Sequence, residues 1–212
     1  MVHLMPERSE LMSKKSARRI TFSPDTEIEQ VENALEAGLD VKMLGANEET
    51  VLMGAVKANV KSEIVLALIE AGADCFAIDE EGKTLLMFSA QYNVHLEVTA
   101  TFLQKGISVQ QKDDWGANAL MYGAQSNGNI EVLSLLLEAG ADVNDTDEGE
   151  KTALMYGAES NANPGVLSFL LAHGAIASLR DCEGKTAYDY AKKNLILSGT
   201  NELRLLQEAA GL

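Results

Sequence analysis

Cysteine, tryptophan and proline are all rare in this chain of 212 residues, which holds two cysteines, one tryptophan and three prolines. Cys75 and Cys182 lie far apart in the sequence and have no metal-ligand spacing around them, so neither a disulfide framework nor a zinc site is indicated. Aromatic residues make up 5% of the chain and hydrophobic residues 46%. The composition therefore predicts a folded protein whose core consists mainly of aliphatic side chains and methionine.

Long apolar segments are also missing. No segment approaches the roughly 18 apolar residues that span a bilayer, and the N-terminus lacks the apolar centre of a secretory signal peptide. Together with the unpaired cysteines, these absences predict a cytoplasmic protein for which binding to a membrane is not expected. A C-terminal or unconventional export signal would leave no mark on these features.

The sequence contains no motif that indicates catalysis. His3, His95 and His173 share no metal-ligand spacing with one another or with the cysteines. A glycine-rich phosphate-binding loop and a Gly-x-Ser-x-Gly nucleophile elbow are both absent. We therefore expect a protein that is not an enzyme and that uses no metal and no cofactor.

Negative charge dominates the chain and is unevenly distributed. The formal net charge is −15, to which residues 1–22 contribute +3, so the remaining chain carries −18. An acidic body of this kind repels phosphate backbones, which argues against nucleic acid as its ligand and favours a partner with a basic patch. The alternative is that the acidic residues only keep the protein in solution.

Residues 1–22 form a basic N-terminal tail with little hydrophobic pattern, and we expect it to be partly disordered. One interpretation is that this tail contacts an acidic membrane or nucleic acid, or acts as a targeting signal. The favoured interpretation is a solvated tail, or one that folds against the acidic body. Its basic residues are Arg8, Lys14, Lys15, Arg18 and Arg19.

Two short motifs recur with a constant period of 34 residues. Such spacing is the signature of stacked structural repeats. The first motif begins with threonine or asparagine and continues with apolar and small residues, and its copies start at Thr50, Thr84, Asn118, Thr152 and Thr186. In the second motif an apolar segment ends at a glycine, and these glycines are Gly38, Gly72, Gly106, Gly140 and Gly174.

The physical chemistry of one copy predicts a helix–turn–helix unit. The threonine or asparagine is a good helix N-cap, because its side-chain oxygen accepts free N–H groups of the first turn. The glycine ends the second helix, since it adopts the left-handed conformation without strain. An Asp-x-x-Gly turn, such as Asp79 to Gly82, then leads into the next copy. In the fourth full copy Glu150 stands at the turn-glycine position, which predicts a reshaped turn there.

These motifs resemble the ankyrin repeat, with its Thr-Pro-Leu-His-x-Ala signature and its Gly-Ala-Asp before a hairpin. The resemblance covers roughly residues 23–212 and implies an all-α repeat solenoid of stacked helix–turn–helix units with short β-hairpin-like loops. The chain departs from the pattern by lacking the proline and by its period, and its asparagine-rich style looks like arrays common in bacterial proteins, which implies a bacterial source. Methionine replaces the signature histidine at Met53, Met87, Met121 and Met155.

The periodicity also predicts where each unit begins and ends. An N-terminal half repeat is expected at 23–45, with a helix that starts at Ser23–Pro24. A charged last unit at 182–212 is expected to cap the stack, and a capped acidic solenoid is most simply a monomer. The four full repeats between these ends are expected at about 46–79, 80–113, 114–147 and 148–181.

Two sets of side chains recur at fixed repeat positions. The methionines could indicate soft-metal binding, but stacked repeats place them about 10 Å apart, too far for shared coordination, so core packing is favoured. Tyr122, Tyr156 and Tyr190, with Phe88 beside them, are also expected to pack between repeats, with Gly54 as a gap.

The resemblance implies that partners dock on a concave surface lined by hairpin tips and inner helices. Trp115 is the strongest candidate anchor, because it is the only tryptophan and lies in a turn between Asp114 and Gly116. The alternative is that its ring packs over a neighbouring hairpin. We expect Tyr92 to stand near it. The other candidate partner-binding residues are Asp114, Glu80, Glu81, Lys83, Gln91, Gln125, Glu148, Lys151 and Glu159.

The sequence therefore predicts a protein–protein interaction scaffold that binds a basic partner on an acidic concave ankyrin surface, without catalysis. The alternative hypothesis is a regulatory or exported effector whose basic tail contacts a membrane or serves as a targeting signal.

Overall fold

The computed structural model describes residues 20–44, 49–92 and 94–211, and eleven helices lie in these ranges. The strand-like pairing in the same ranges consists of isolated antiparallel bridges, of which Ile78 with Thr84 is one. The predicted all-α repeat solenoid is therefore confirmed. The helices are α1 (Ile28–Glu36), α2 (Val51–Lys57), α3 (Ser62–Glu70), α4 (Leu85–Tyr92), α5 (Leu96–Gln104), α6 (Ala119–Ser126), α7 (Ile130–Glu138), α8 (Ala153–Ser160), α9 (Gly165–Ala172), α10 (Ala187–Ala191) and α11 (Asn201–Ala209).

The helices form two packed layers. The inner helices α2, α4, α6, α8 and α10 stack side by side in chain order. The outer helices α1, α3, α5, α7, α9 and α11 form the second layer, and each of them packs against its neighbours in the same order. Each repeat therefore buries its apolar surface against the repeats before and after it. The repeat boundaries expected from the sequence stay predictions.

Each inner helix begins at the residue that the repeat motif predicts. The side chains of Thr50 and Asn118 accept hydrogen bonds from the backbone N–H groups of Met53 and Met121, both at 3.1 Å. Thr152 caps α8 in the same way. These caps satisfy N–H groups that have no partner within the helix, so the motif fixes where each inner helix starts.

The core follows the inner helices through the whole stack. Leu120 and Leu154 are buried, as are the methionines at the signature-histidine position, such as Met121 and Met155. Their flexible side chains fill the space between neighbouring repeats. The recurring methionines thus pack in the core, as the repeat spacing predicts.

A ladder of asparagines joins the repeats where the inner helices end. Asn127 donates from Nδ2 to the carbonyl of Ala90 at 2.8 Å, and Asn161 donates to the carbonyl of Ala124 at 2.6 Å. Asn194 continues the ladder into the last repeat. Because the last carbonyls of a helix lack intrahelical donors, each asparagine satisfies acceptors of the preceding repeat. Sequence reasoning missed this ladder, although the asparagines recur at nearly the repeat spacing.

The prediction that the first helix starts at Ser23–Pro24 is wrong. The backbone N–H of Ser23 donates to Thr26 Oγ1 at 2.8 Å, and the N–H of Thr26 donates back to the Ser23 carbonyl at 3.0 Å. These bonds close a turn, and α1 begins at Ile28 behind the cap residue Glu27. Residues 1–19 of the predicted basic tail lie outside the described residues.

The reshaped turn predicted at Glu150 is also wrong. Glu150 adopts the left-handed conformation, with φ of +62°, beside values of +77° at Gly82 and Gly184. Its N–H donates to the Asp147 carbonyl at 3.1 Å, as the N–H of Gly82 does to Asp79 at 3.0 Å. The turn therefore keeps its shape, and the glutamate bears the strain of a conformation that L side chains disfavour.

Replacing Glu150 by glycine is expected to raise the free energy of unfolding by about 0.5 kcal/mol, because removal of the strain outweighs the added chain entropy of the unfolded state. Urea denaturation of the wild type and the variant measures the difference. Gly184→Ala is the matched control: an added Cβ there meets nothing within 4 Å, so its loss of stability reports conformational strain alone. A less stable Glu150→Gly protein would show that contacts of this side chain outweigh the strain.

Candidate partner-binding surface

The surface of interest, here called the inner face, consists of four hairpin tips and the exposed side of the inner helices. The tips are residues 80–83, 114–117, 148–151 and 182–185. Neighbouring tips are joined by backbone hydrogen bonds from Asp114 N to Glu81 O at 3.1 Å, from Glu148 N to Trp115 O at 2.9 Å and from Cys182 N to Gly149 O at 3.0 Å. The side chains of the tips are therefore presented from a connected and ordered backbone, which lowers the entropy lost on binding.

Each tip from the third repeat onward is anchored by an aspartate and a tyrosine nine residues later. The Tyr122 hydroxyl donates to Asp113 at 2.5 Å and the Tyr156 hydroxyl to Asp147 at 2.7 Å. Tyr190 donates to Asp181 in the same way. Burial, followed by the hydrogen bond and the negative charge of the aspartate, raises the pKa of all three tyrosines. Sequence reasoning predicted that the tyrosines pack between repeats but missed the pairing, for which the constant spacing was the available signal.

Lysines lie over the aromatic rings along the inner face. Lys83 Nζ is 5.0 Å from the centre of the Tyr122 ring and 5.6 Å from that of Trp115. Lys151 Nζ is 4.4 Å from the ring of Tyr190 and 5.5 Å from that of Tyr156. Such contacts are attractive because the ring face is electronegative. The row, here called the lysine row, consists of Lys57, Lys83, Lys151 and Lys185.

The lysine row also neutralises acidic residues of the inner face. Lys83 pairs with Glu81 at 2.7 Å and Lys151 with Glu159 at 2.8 Å. The inner face therefore carries both signs of charge, and four of the eleven predicted binding residues already form ion pairs within the protein. Glu80, Asp114 and Glu148 are exposed, and in the described part of the chain they form no ion pair.

The two predicted aromatic anchors are both exposed but do not meet. Trp115 is 49% exposed at its tip, and Tyr92 is 43% exposed at the end of α4. The Tyr92 ring stacks on Phe88, with 6.4 Å between the ring centres. The ring contacts found in the described ranges do not include one between Tyr92 and Trp115. Gln91 and Gln125 are half-buried at the ends of their helices.

The tip of the third repeat differs from the others at two positions. The tips at 80–83 and 182–185 each hold an ion pair, Glu81 with Lys83 and Glu183 with Lys185. At the corresponding positions the third repeat has Trp115 and Ala117. An exposed charge pair is thus replaced by an apolar indole, and the ring stays half exposed.

Phe22 extends the aromatic column of the inner face at its N-terminal end. Its Cδ2 atom lies 3.9 Å from the point where a Cβ of Gly54 would stand. The gap that the sequence shows at Gly54 is therefore filled by a ring from the preceding segment.

Two other kinds of site are absent from the described residues. Within residues 20–44, 49–92 and 94–211, no group of three or more histidine, cysteine, aspartate or glutamate side chains is placed to hold a metal ion. A bilayer-spanning helix was likewise not found over those ranges.

Comparison with known families matches most of the chain. The family model described as ankyrin repeats (3 copies) matches residues 26–113, 52–147 and 120–203, which overlap. No curated protein matches the chain. The capped inner helices, the two-layer stack and the family match lead to one conclusion: the chain belongs to the ankyrin-repeat family.

Proposed function

We propose that this protein is a scaffold that binds another protein on its inner face and performs no catalysis. Ankyrin repeats generally bind other proteins and are typically non-catalytic modules. The observation that carries the proposal is Trp115, an indole that is 49% exposed on a tip whose backbone is fixed on both sides. The N–H of Trp115 donates to Asp113 Oδ1 at 3.0 Å, and its carbonyl accepts from Glu148 at 2.9 Å. Rigid, exposed aromatic side chains of this kind are enriched among binding hot spots.

The charges around this indole favour a basic partner. Asp114 and Glu148 flank it on the same and the following tip, and both are exposed without an ion pair in the described ranges. A partner with positive charge near an apolar side chain would pair with these carboxylates while it covers the indole. Tyr92, Glu80, Gln91 and Gln125 extend the proposed contact surface along the inner face.

Trp115→Ala is expected to weaken partner binding by at least about tenfold and to leave the melting temperature close to that of the wild type, because the ring lies mostly outside the core. The partner is first captured from a lysate of the source cells and then purified, and its affinity is measured by titration calorimetry. Ile176→Ala is the matched control, since Ile176 is also 49% exposed but lies away from the tips. Equal affinities for the wild type and both variants would contradict the proposal.

The basic tail supports a second candidate function, in which residues 1–22 direct the protein to a membrane or an export route. Its net charge of +3 beside an acidic body is the observation that favours it. Deletion of residues 1–19 with the repeat stack intact tests the idea. An unchanged location of the truncated protein in fractionated cells would eliminate it.

A further inference from the structure

The residue before the inner-helix cap is a lysine in three of the four tips of the inner face, and the exception is Ala117; in the first full repeat this position holds Glu49. The residue that precedes the inner-helix cap is Lys83 in the second full repeat, Ala117 in the third, Lys151 in the fourth and Lys185 in the last. Lys151 lies between the ring of its own repeat and the ring of the following repeat, Tyr156 and Tyr190. A lysine at 117 would lie in the same way between Tyr122 and Tyr156. Because alanine supplies no cation, Tyr156 has only Lys151 over its ring in the described part of the chain, whereas Tyr190 has both Lys151 and Lys185.

The exposed fraction of the inner-face tyrosines depends on whether the preceding repeat has a lysine or Ala117 before its cap. Tyr122 and Tyr190, which are covered by a lysine of the preceding repeat, are 9% and 6% exposed. The repeat before Tyr156 has Ala117 in place of this lysine, and Tyr156 is only partly buried. The Tyr156 ring has Lys151 of its own repeat over it but no lysine of the preceding repeat, so it is an accessible feature of the inner face.

Several carboxylates lie near the Tyr156 ring, beside the single ammonium group of Lys151. Burial, the hydrogen bond to Asp147 and the carboxylates of Asp147, Asp113 and Glu159 all raise the pKa of Tyr156. The exposed carboxylate of Asp114 lies on the same tip as Ala117, and that of Glu148 lies on the same tip as Lys151. The environment of the gap thus favours a positive charge, as it does where the chain supplies its own lysine.

We propose that a lysine or arginine side chain of the partner protein occupies this gap, with its cation over the Tyr156 ring and its neighbouring apolar side chain against Trp115. The proposal rests on the proposed function and deepens it, because it names the side chain that the partner inserts. The protein's own lysines at 83 and 151 occupy the corresponding places over Tyr122 and Tyr190. Arginine suits the gap as well, since its guanidinium group stacks on rings and binds carboxylates.

The backbone at Ala117 is already suited to a lysine. Its N–H donates to Asp113 Oδ1 at 2.9 Å and its carbonyl accepts from Asp113 N at 3.0 Å. The same two bonds tie Lys151 to Asp147, at 2.8 Å and 3.1 Å. Ala117→Lys should therefore keep the backbone bonds of the tip, and since Ala117 is 2% exposed, the lysine chain must pass the atoms that cover the alanine to reach the gap.

The test uses small cations as probes. Amide NMR spectra of the wild type are recorded with Nα-acetyl-arginine amide and with Nα-acetyl-citrulline amide, its neutral analogue, at low salt. The arginine probe is expected to shift the amides of Ala117, Glu148 and Tyr156 with a Kd on the order of 10 mM, and the citrulline probe is not. The amide of Tyr190, whose ring is already covered, should stay unchanged. Ala117→Lys should weaken the response at least tenfold.

Two controls keep the result interpretable. If Ala117→Lys does not melt like the wild type, Glu148→Gln replaces it, and at least a threefold weaker response to the arginine probe is expected. Equal responses to the charged and neutral probes, or an unchanged response in a folded Ala117→Lys protein, would overturn the proposal. A purified partner that needs Trp115 but binds Ala117→Lys as tightly as the wild type would also overturn it, while the proposed function would stand. If a purified partner bound Trp115→Ala as tightly as the wild type, the proposed function would be wrong. The probe titration would still show whether a cation binds in the gap.

Discussion

Leu120→Ala is expected to lower the free energy of unfolding by about 2–5 kcal/mol. Leu120 is fully buried on α6, the inner helix that packs against both α4 and α8. Truncation leaves a cavity between repeats that the stacked helices can close only in part. Because each repeat depends on its neighbours, the loss weakens two interfaces rather than one.

Urea denaturation followed by circular dichroism measures this loss. Leu66→Ala is the control, because Leu66 is also a helical leucine but is 42% exposed on α3. It is expected to cost less than about 1 kcal/mol. Similar losses for the two variants would show that the stack does not derive its stability from the core between the inner helices.

Asn161→Ala is expected to lower the free energy of unfolding by about 2–4 kcal/mol, because it leaves buried groups without partners. Asn161 is 2% exposed and donates to the carbonyls of Ala124 at 2.6 Å and Asn127 at 3.2 Å. Its Oδ1 atom accepts from the N–H of Asn163 at 2.8 Å. One side chain thus satisfies two acceptors of the preceding repeat and one donor of its own.

Gln110→Ala is the matched control for the asparagine ladder. Gln110 also donates across a repeat boundary, to the Gly140 carbonyl at 2.6 Å, but it is exposed and water can replace it. Its loss is expected to be below about 1 kcal/mol. Asn161→Ala should in addition broaden the urea transition, since weaker coupling between repeats reduces cooperativity. A sharp transition with a loss as small as that of Gln110→Ala would refute the structural role of the ladder.

The repeat fold could be predicted from the sequence because its signals are local and recur. A capping threonine, an apolar helix and a left-handed glycine each act within a few residues, and five copies define the period. The start of α1 could not be read in this way, since it depends on the turn that Ser23 and Thr26 close. The prediction of a reshaped turn at Glu150 was wrong because Asp147 and its hydrogen bonds to the backbone hold the shape of the turn without a glycine.

The candidate site was predictable in outline only. The position of Trp115 in a turn correctly indicated an exposed ring, because a tip offers nothing to bury it. The contacts of Lys83 with Tyr122 and of Lys151 with Tyr190 depend on how one repeat lies on the next. That relation is absent from any single copy of the motif. The expected neighbourhood of Tyr92 and Trp115 stays a prediction, and the ring contact that the structure gives Tyr92 is with Phe88 in its own helix.

The asparagine ladder also bears on the chemical ageing of the protein. Asn127 precedes Gly128, a pairing in which the amide readily cyclises and deamidates because glycine leaves the backbone nitrogen unhindered. The fold restrains both ends of this amide, with Nδ2 on the Ala90 carbonyl and Oδ1 receiving the N–H of Asn129. A carboxylate formed there would face the Ala90 carbonyl with two acceptors and no donor. The stacked repeats therefore restrain the amide on which their own junction depends, and we expect deamidation to be faster in molecules whose repeats have opened.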